Sequence, residues 1–305
     1  MTNLLTAINT LRQRMVRRFL LRHSFDFWQS LGIHILPVHY YSQVPDTRVL
    51  KANYPTKSPL DGIDMNYTGQ KTLLEEVFPT FQPEYDNFTM LDSPSAKQIL
   101  EADTFVLPNP TFTGIDPYVY YCMIRHFKPE HILEVGSGNS TRLARMAVTK
   151  NEQGKITCIE PYPSKLLKRV RGIEIIDQRV EEVDFDIFKQ LKANDILFID
   201  SSHTVRMGGD VTHLFLDVLP KLQSGVIVHV HDIFLPDPYP ESWYLKDHRF
   251  FMEQYLLQAY LIGNTHVEVL FANHFMADSD EDALKTVFPK ALFYRTSGSF
   301  WLRIL

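Results

Sequence analysis

HILEVGSGNST, residues His131 to Thr141, is an apolar run that ends in an acid and then breaks into Gly-x-Gly followed by amide and hydroxyl side chains. Ile132, Leu133 and Val135 suit a parallel strand buried on both faces. Gly136 and Gly138 allow a tight turn and a close approach of the backbone to a ligand. Asn139 or Ser140 is positioned to cap a helix opening near Thr141. The free N–H groups of such a turn face an anion.

A second strand, Lys155 to Glu160, ends in an acid twenty-two residues after Gly138. An acid at that distance can hold a ribose diol. The dinucleotide fingerprint wants a third glycine where this chain has Thr141, so a pyrophosphate is the less suited guest. Further strands are expected at Ile173–Ile176, Asp195–Asp200, Gly225–His231, His266–Phe271 and Ser299–Ile304. Helices are expected at 141–149, 164–170, 186–192 and 209–221. This alternation is that of an α/β protein.

Glu134-x-Gly136-x-Gly138, with Glu160 closing the next strand, resembles motif I and the following acidic position of class I S-adenosylmethionine-dependent methyltransferases. The resemblance implies a Rossmann-like, seven-stranded, mostly parallel sheet with helices on both faces. It implies S-adenosylmethionine as cofactor, with Glu134, Gly136, Ser137, Gly138, Asn139 and Ser140 around the methionine part and Glu160 on the ribose. Val180, after the third strand, is expected beside the adenine. The switch-point rule puts the ligand at the carboxyl ends of the first and fourth strands. A nicotinamide-dependent oxidoreductase is the alternative, disfavoured by Thr141 and by the missing Tyr-x-x-x-Lys pair. A non-catalytic domain that binds the same cofactor is a second.

Two more segments deliver polar groups to strand ends. DILFIDSSH carries Asp200 at the end of the fourth strand and His203 on the turn beyond. GVIVHVHDIF places His229 and His231 on one side by period two, then Asp232 at the exit. These segments resemble the Asp-x-x-His and His-Asp elements of a bacterial subfamily that includes O-methyltransferases acting on sugars of natural products. By that resemblance Asp200, also beside the cofactor, joins His231 and Asp232 as ligands of a divalent ion, magnesium or manganese, and His203 is the general base. His231 supplies nitrogen where some relatives have oxygen, which moves the preference toward manganese, iron or zinc. His229, inside an apolar strand, reads as a core histidine. The chemistry needs such groups: an aliphatic hydroxyl has a pKa near ~16. Ionising it at pH 7 costs about 12 kcal/mol, and a positioned histidine contributes ~10² to 10⁴ in rate.

Composition bounds the rest. At 305 residues, 45% hydrophobic and 22% charged, the chain reads as an ordinary globular protein with no membrane-spanning run. A net charge of −5 disfavours nucleic acid as a general partner. Cys122 and Cys158 both fall in apolar segments, which fits a reducing cytoplasm. Residues 1–25 hold five arginines and no acid, with Leu4, Ile8, Leu11, Met15 and Phe19 at helical spacing. That basic helix packs on its own protein or touches an anionic membrane peripherally. Residues 1–112 read as a helical and irregular cap, and 113–305 as the catalytic domain. An insertion, 235–264, carries Tyr239, Trp243 and Tyr244 as candidates for shaping the acceptor site. Its helix 249–261 is expected to use Met252, Tyr255, Leu256 and Ala259 as one face. The acceptor is expected to be a small molecule or glycoconjugate, and the sequence is compatible with a homo-oligomer.

Overall fold

The computed structural model describes residues 24–91 and 105–305, with Arg12, Met15 and Val16 besides. The basic helix expected over residues 1–25 thus falls almost wholly outside the described residues. Among the described residues no helix is long and apolar enough to cross a membrane.

Seven strands form one sheet: β1 His131–Val135, β2 Lys155–Ile159, β3 Glu174–Ile176, β4 Ile196–Ile199, β5 Ile227–Val230, β6 Val267–Ala272 and β7 Phe300–Ile304. Their order is β3-β2-β1-β4-β5-β7-β6, with β1 to β5 parallel and β7 antiparallel to both neighbours. All seven expected strands are present, each within two residues of its expected bounds. Successive side chains enter two separate cores. Ile132, Ile196, Phe198 and Trp301 belong to one, and Leu133, Val135, Leu197, Ile199 and Val230 to the other. Period-two alternation with both faces apolar is what a sheet covered on both sides requires.

Helix α1, Asp116–Phe127, precedes the sheet, and α2, Asn139–Asn151, follows the glycine turn. The run 210–221 passes from α-helix through a π turn, Leu214–Val218, into a 3-10 turn. Pro220 explains this, because it lacks an N–H and its ring displaces the carbonyl four residues back. The helix expected over 164–170 is a single 3-10 turn, Leu167–Arg169. Lys165, Lys168 and Arg169 put like charges at helical neighbour positions, and the chain turns at Gly172 with φ +75°.

The insertion helix α3, Glu253–Leu261, corrects the sequence reading. Its buried residues are Glu253, Gln254, Leu257 and Leu261, whereas Met252 is 44% exposed. Two polar side chains turn inward because each has a partner. The Gln254 carboxamide accepts from Phe234 N–H and donates to Asp237 O. Tyr239 is also core, its hydroxyl accepting from Gln254 N–H at 3.0 Å.

The chain divides into two compact units: 1–55 with Pro240–Phe250, and Thr56–Tyr239 with Phe251–Leu305. In the smaller, Asp46 caps the helix Thr47–Ala52 by accepting from Arg48 N–H at 3.0 Å. Tyr54 there meets Tyr244 edge-on, and Arg249 lies over Trp243. In the larger, Leu74, Phe78 and Tyr85 join the core beneath α1.

Candidate active site

Strand register alone assembles the site. Val135 pairs with Ile159 and Ile199, and Ile199 with Val230. The next residues on each strand, Glu160, Gly136, Asp200 and His231, therefore lie side by side at the carboxyl edge. Gly136 has φ +79°, and a Cβ there would stand 1.8 Å from the Asp200 carbonyl oxygen, so only glycine fits. Around Gly138, by contrast, a Cβ would meet nothing within 4 Å.

The turn is braced differently from the sequence expectation. α2 starts at Asn139 with Gly138 as N-cap, and neither Asn139 nor Ser140 is the cap. Thr141 Oγ1 accepts from Gly138 N–H at 3.0 Å and donates to the carboxylate of Glu134. The residue that breaks the dinucleotide fingerprint is thus the one that ties the turn to its strand. Glu134 is fully buried, and burial pushes its carboxyl up to about 7 against hydrogen bonds from Ser140 and Thr141. It stands behind the turn. Asn139 instead donates to Thr111 Oγ1 at 2.9 Å and Asn109 Oδ1 at 3.3 Å, fastening the loop 105–112 to the helix.

Glu160 accepts from Tyr162 N–H at 2.8 Å and from Ser137 N–H at 3.3 Å, which fixes its carboxylate at the edge of a cleft. Two cavities meet there. One of about 420 Å³ is lined by Glu160, Val180, Asp200, Ser201 and Arg206 among others. The other, of about 230 Å³, is lined by Phe112, Ser137, Gly138, Asn139 and Ser140, and both share Gly136, Glu160 and Asp200. Ser201 Oγ is buried without a partner. This cradle fits a nucleoside joined to an amino acid: an acid for a diol, an apolar Val180 for a base, and open space before the Gly138 turn.

Beyond Asp200 lies a cluster of acids and imidazoles. His203 Nδ1 is 2.8 Å from Glu253 Oε2, and its Nε2 is 3.3 Å from Asp200 Oδ1 and 3.4 Å from Asp232 Oδ2. His231 Nδ1 lies 3.6 Å from Asp200 and 3.4 Å from Asp232, and its Nε2 is 3.5 Å from Asp116. Burial opposes charge on His203, yet hydrogen bonds to Asp200 and Glu253 win and raise its pKa to about 10. His231 is likewise raised, by Asp200 and Asp232 against burial. Asp200 lies well below the usual carboxylate range: burial works to raise it, but the two histidines outweigh that. Burial raises Asp232 and Glu253. His203 and Asp232 both occupy the left-handed region, at φ +55° and +58°. Such conformations persist where the surroundings over-determine them.

The structure brings Asp200, His231 and Asp232 together, but not as a metal centre. His203 Nε2 stands between Asp200 and Asp232, so their lone pairs face imidazoles. Among the described residues no group of three is placed to hold an ion. His229 is the expected core residue, its Nε2 2.9 Å from Ser299 Oγ and its ring 3.9 Å from that of Phe198. Sequence reasoning missed Asp116, whose carboxylate accepts from Asn273, Gly298 and Ser299. It also missed Glu253, since an acid opening a helix reads as a dipole partner and carries no periodic signal.

The sheet order and glycine-turn cleft define a class I methyltransferase fold. Residues 133–233 match a family described as a methyltransferase domain, which together with the sheet order supports the class I S-adenosylmethionine-dependent methyltransferase reading. An uncharacterized protein of Archaeoglobus fulgidus is 30% identical over 181 residues, covering 55% of this chain and 78% of that protein. Among solved structures, the S-adenosylhomocysteine-bound Podospora anserina methyltransferase PaMTH1 is 16% identical, with a TM-score of 0.39, 90% of this chain and 99% of that one covered. The Streptomyces achromogenes O-methyltransferase TomG, solved with S-adenosylmethionine, is 14% identical, with a TM-score of 0.39, 88% of this chain and 99% of that one covered.

Proposed function

We propose that the protein methylates a hydroxyl group on a sugar or secondary-metabolite acceptor, with His203 as the proton acceptor and Glu253 as its positioning residue. One observation carries this reading. His203 stands at the carboxyl edge of the sheet beside Asp200, with Glu253 holding Nδ1 and leaving Nε2 directed between two carboxylates.

When bound, S-adenosylmethionine supplies a methyl group made electrophilic by the sulfonium. Glu160 would hold the ribose hydroxyls, Val180 the base, and the 136–140 turn the methionine end. His203 Nε2 would take the proton that the acceptor hydroxyl gives up on methylation. Glu253 keeps the ring oriented, and Asp200 and Asp232 stabilise the imidazolium that results. No step runs through a metal, because His203 occupies the place between the carboxylates. The test is transfer of labelled methyl from S-adenosylmethionine to a panel of hydroxylated glycosides and phenols. His203→Ala should bind the cofactor normally and lose at least 10²-fold in turnover. Unchanged turnover would overturn the assignment.

A further inference from the structure

Away from the cofactor edge, α2 and the 168–171 segment enclose an open groove of about 1190 Å³. Its described lining contains Arg142, Arg145, Lys150, Lys168, Arg169 and Arg171, and no acid. The chain as a whole is acidic, at −5, so this is a local concentration of charge against the average. Among the described residues no ion pair is formed by Arg145, Lys150, Lys168, Arg169 or Arg171. The Arg145 guanidinium lies against Gly172, where a Cβ would stand 2.8 Å from it, so the turn is cut away to admit that side chain. Cations held together unpaired repel one another, and an arrangement of this kind is relieved by a ligand carrying several negative charges.

We propose that this groove binds an acidic glycan, a chain bearing carboxylate, sulfate or phosphate groups on successive sugars. The concave form suits an extended chain, and three of the five cations without an ion pair, Arg145, Arg169 and Arg171, carry planar forks that match those oxyanions. Single-stranded nucleic acid would need aromatic faces on which bases stack. The one aromatic ring in the described lining, Tyr121, is 5% exposed and its hydroxyl is committed to Glu84 at 2.8 Å. Insertion into a bilayer interface would need exposed apolar side chains, and the apolar members here, Met146 and Val170, are half-buried.

The experiment is fluorescence anisotropy with labelled heparin oligosaccharide, with dextran, a twenty-residue oligothymidylate and phosphatidylglycerol vesicles alongside. It needs no cofactor or acceptor, so its failure is separate from failure of the transferase reading. Heparin should bind in a salt-dependent way and dextran not at all. Arg145→Glu/Lys168→Glu/Arg171→Glu should weaken heparin at least tenfold. The equally charged control Lys192→Glu/Lys221→Glu/Lys285→Glu should change it less than threefold. S-adenosylmethionine affinity should be unaltered in both. Failure of heparin to bind, equal loss in the control, or binding of oligothymidylate or vesicles as tightly as heparin would overturn the proposal.

Discussion

Glu253 and His203 are joined twice: carboxylate to Nδ1 at 2.8 Å, and main chain to main chain, with the Met252 and Glu253 N–H groups donating to the His203 carbonyl at 2.9 and 3.2 Å. The second link holds the backbone of a residue in the left-handed region. The first holds its ring.

If Glu253 orients the imidazole, Glu253→Gln should lower kcat by roughly 10²-fold while leaving the KM for S-adenosylmethionine within a factor of two. Glu253→Asp should recover part of that loss. Steady-state kinetics on the three proteins decide it; a rise in KM with kcat unchanged would assign Glu253 to cofactor binding instead.

The acids around His203 raise its pKa to about 10, so about a thousandth of it is neutral at pH 7. A base acts in its neutral form, and kcat/KM should climb close to tenfold per pH unit between 7 and 9 before levelling near 10. A flat profile over that range would move the proton to another group.

Glu134 titrates near 7 in the folded chain because burial disfavours its charge. The folded state therefore holds more protons than the unfolded state between pH 4.5 and 7, and stability falls as pH rises through that window. Above pH 7 the cost reaches about 3 kcal/mol. Glu134→Gln should match wild type in urea melts at pH 4.5 and exceed it at pH 8. Equal midpoints at pH 8 would show the carboxylate is compensated there.

Gly136→Ala and Gly138→Ala should separate folding from binding. The first drives a Cβ into the Asp200 carbonyl at φ +79° and should lower the melting temperature markedly. The second meets only open space within the chain, so the melting temperature should hold while cofactor affinity drops at least tenfold. Equal melting losses would contradict this division.

The sheet was legible in the sequence because every strand is a short apolar run bounded by a breaker or an acid. The edge residues Glu160, Gly136, Asp200 and His231 were legible because parallel register carries them to one row. Glu253 was hidden because α3 was read by its apolar period, while the face it buries begins with two polar side chains that have partners 50 and 20 residues back in the chain. The metal centre was what the resemblance of the Asp-x-x-His and His-Asp segments implied. Where His203 Nε2 would stand relative to Asp200 and Asp232 depends on left-handed turns at His203 and Asp232, which no composition signals. The cap of α2 was misplaced because Thr141 does its work from the third helical position.

The most direct test is calorimetric titration of the wild-type chain and Glu160→Ala with S-adenosylmethionine. Micromolar binding to wild type, weakened at least tenfold in the variant and absent for NADH, is the predicted result. No heat with S-adenosylmethionine, or equal affinity in the two proteins, would contradict the placement of the cofactor at the Gly136–Glu160–Asp200 edge.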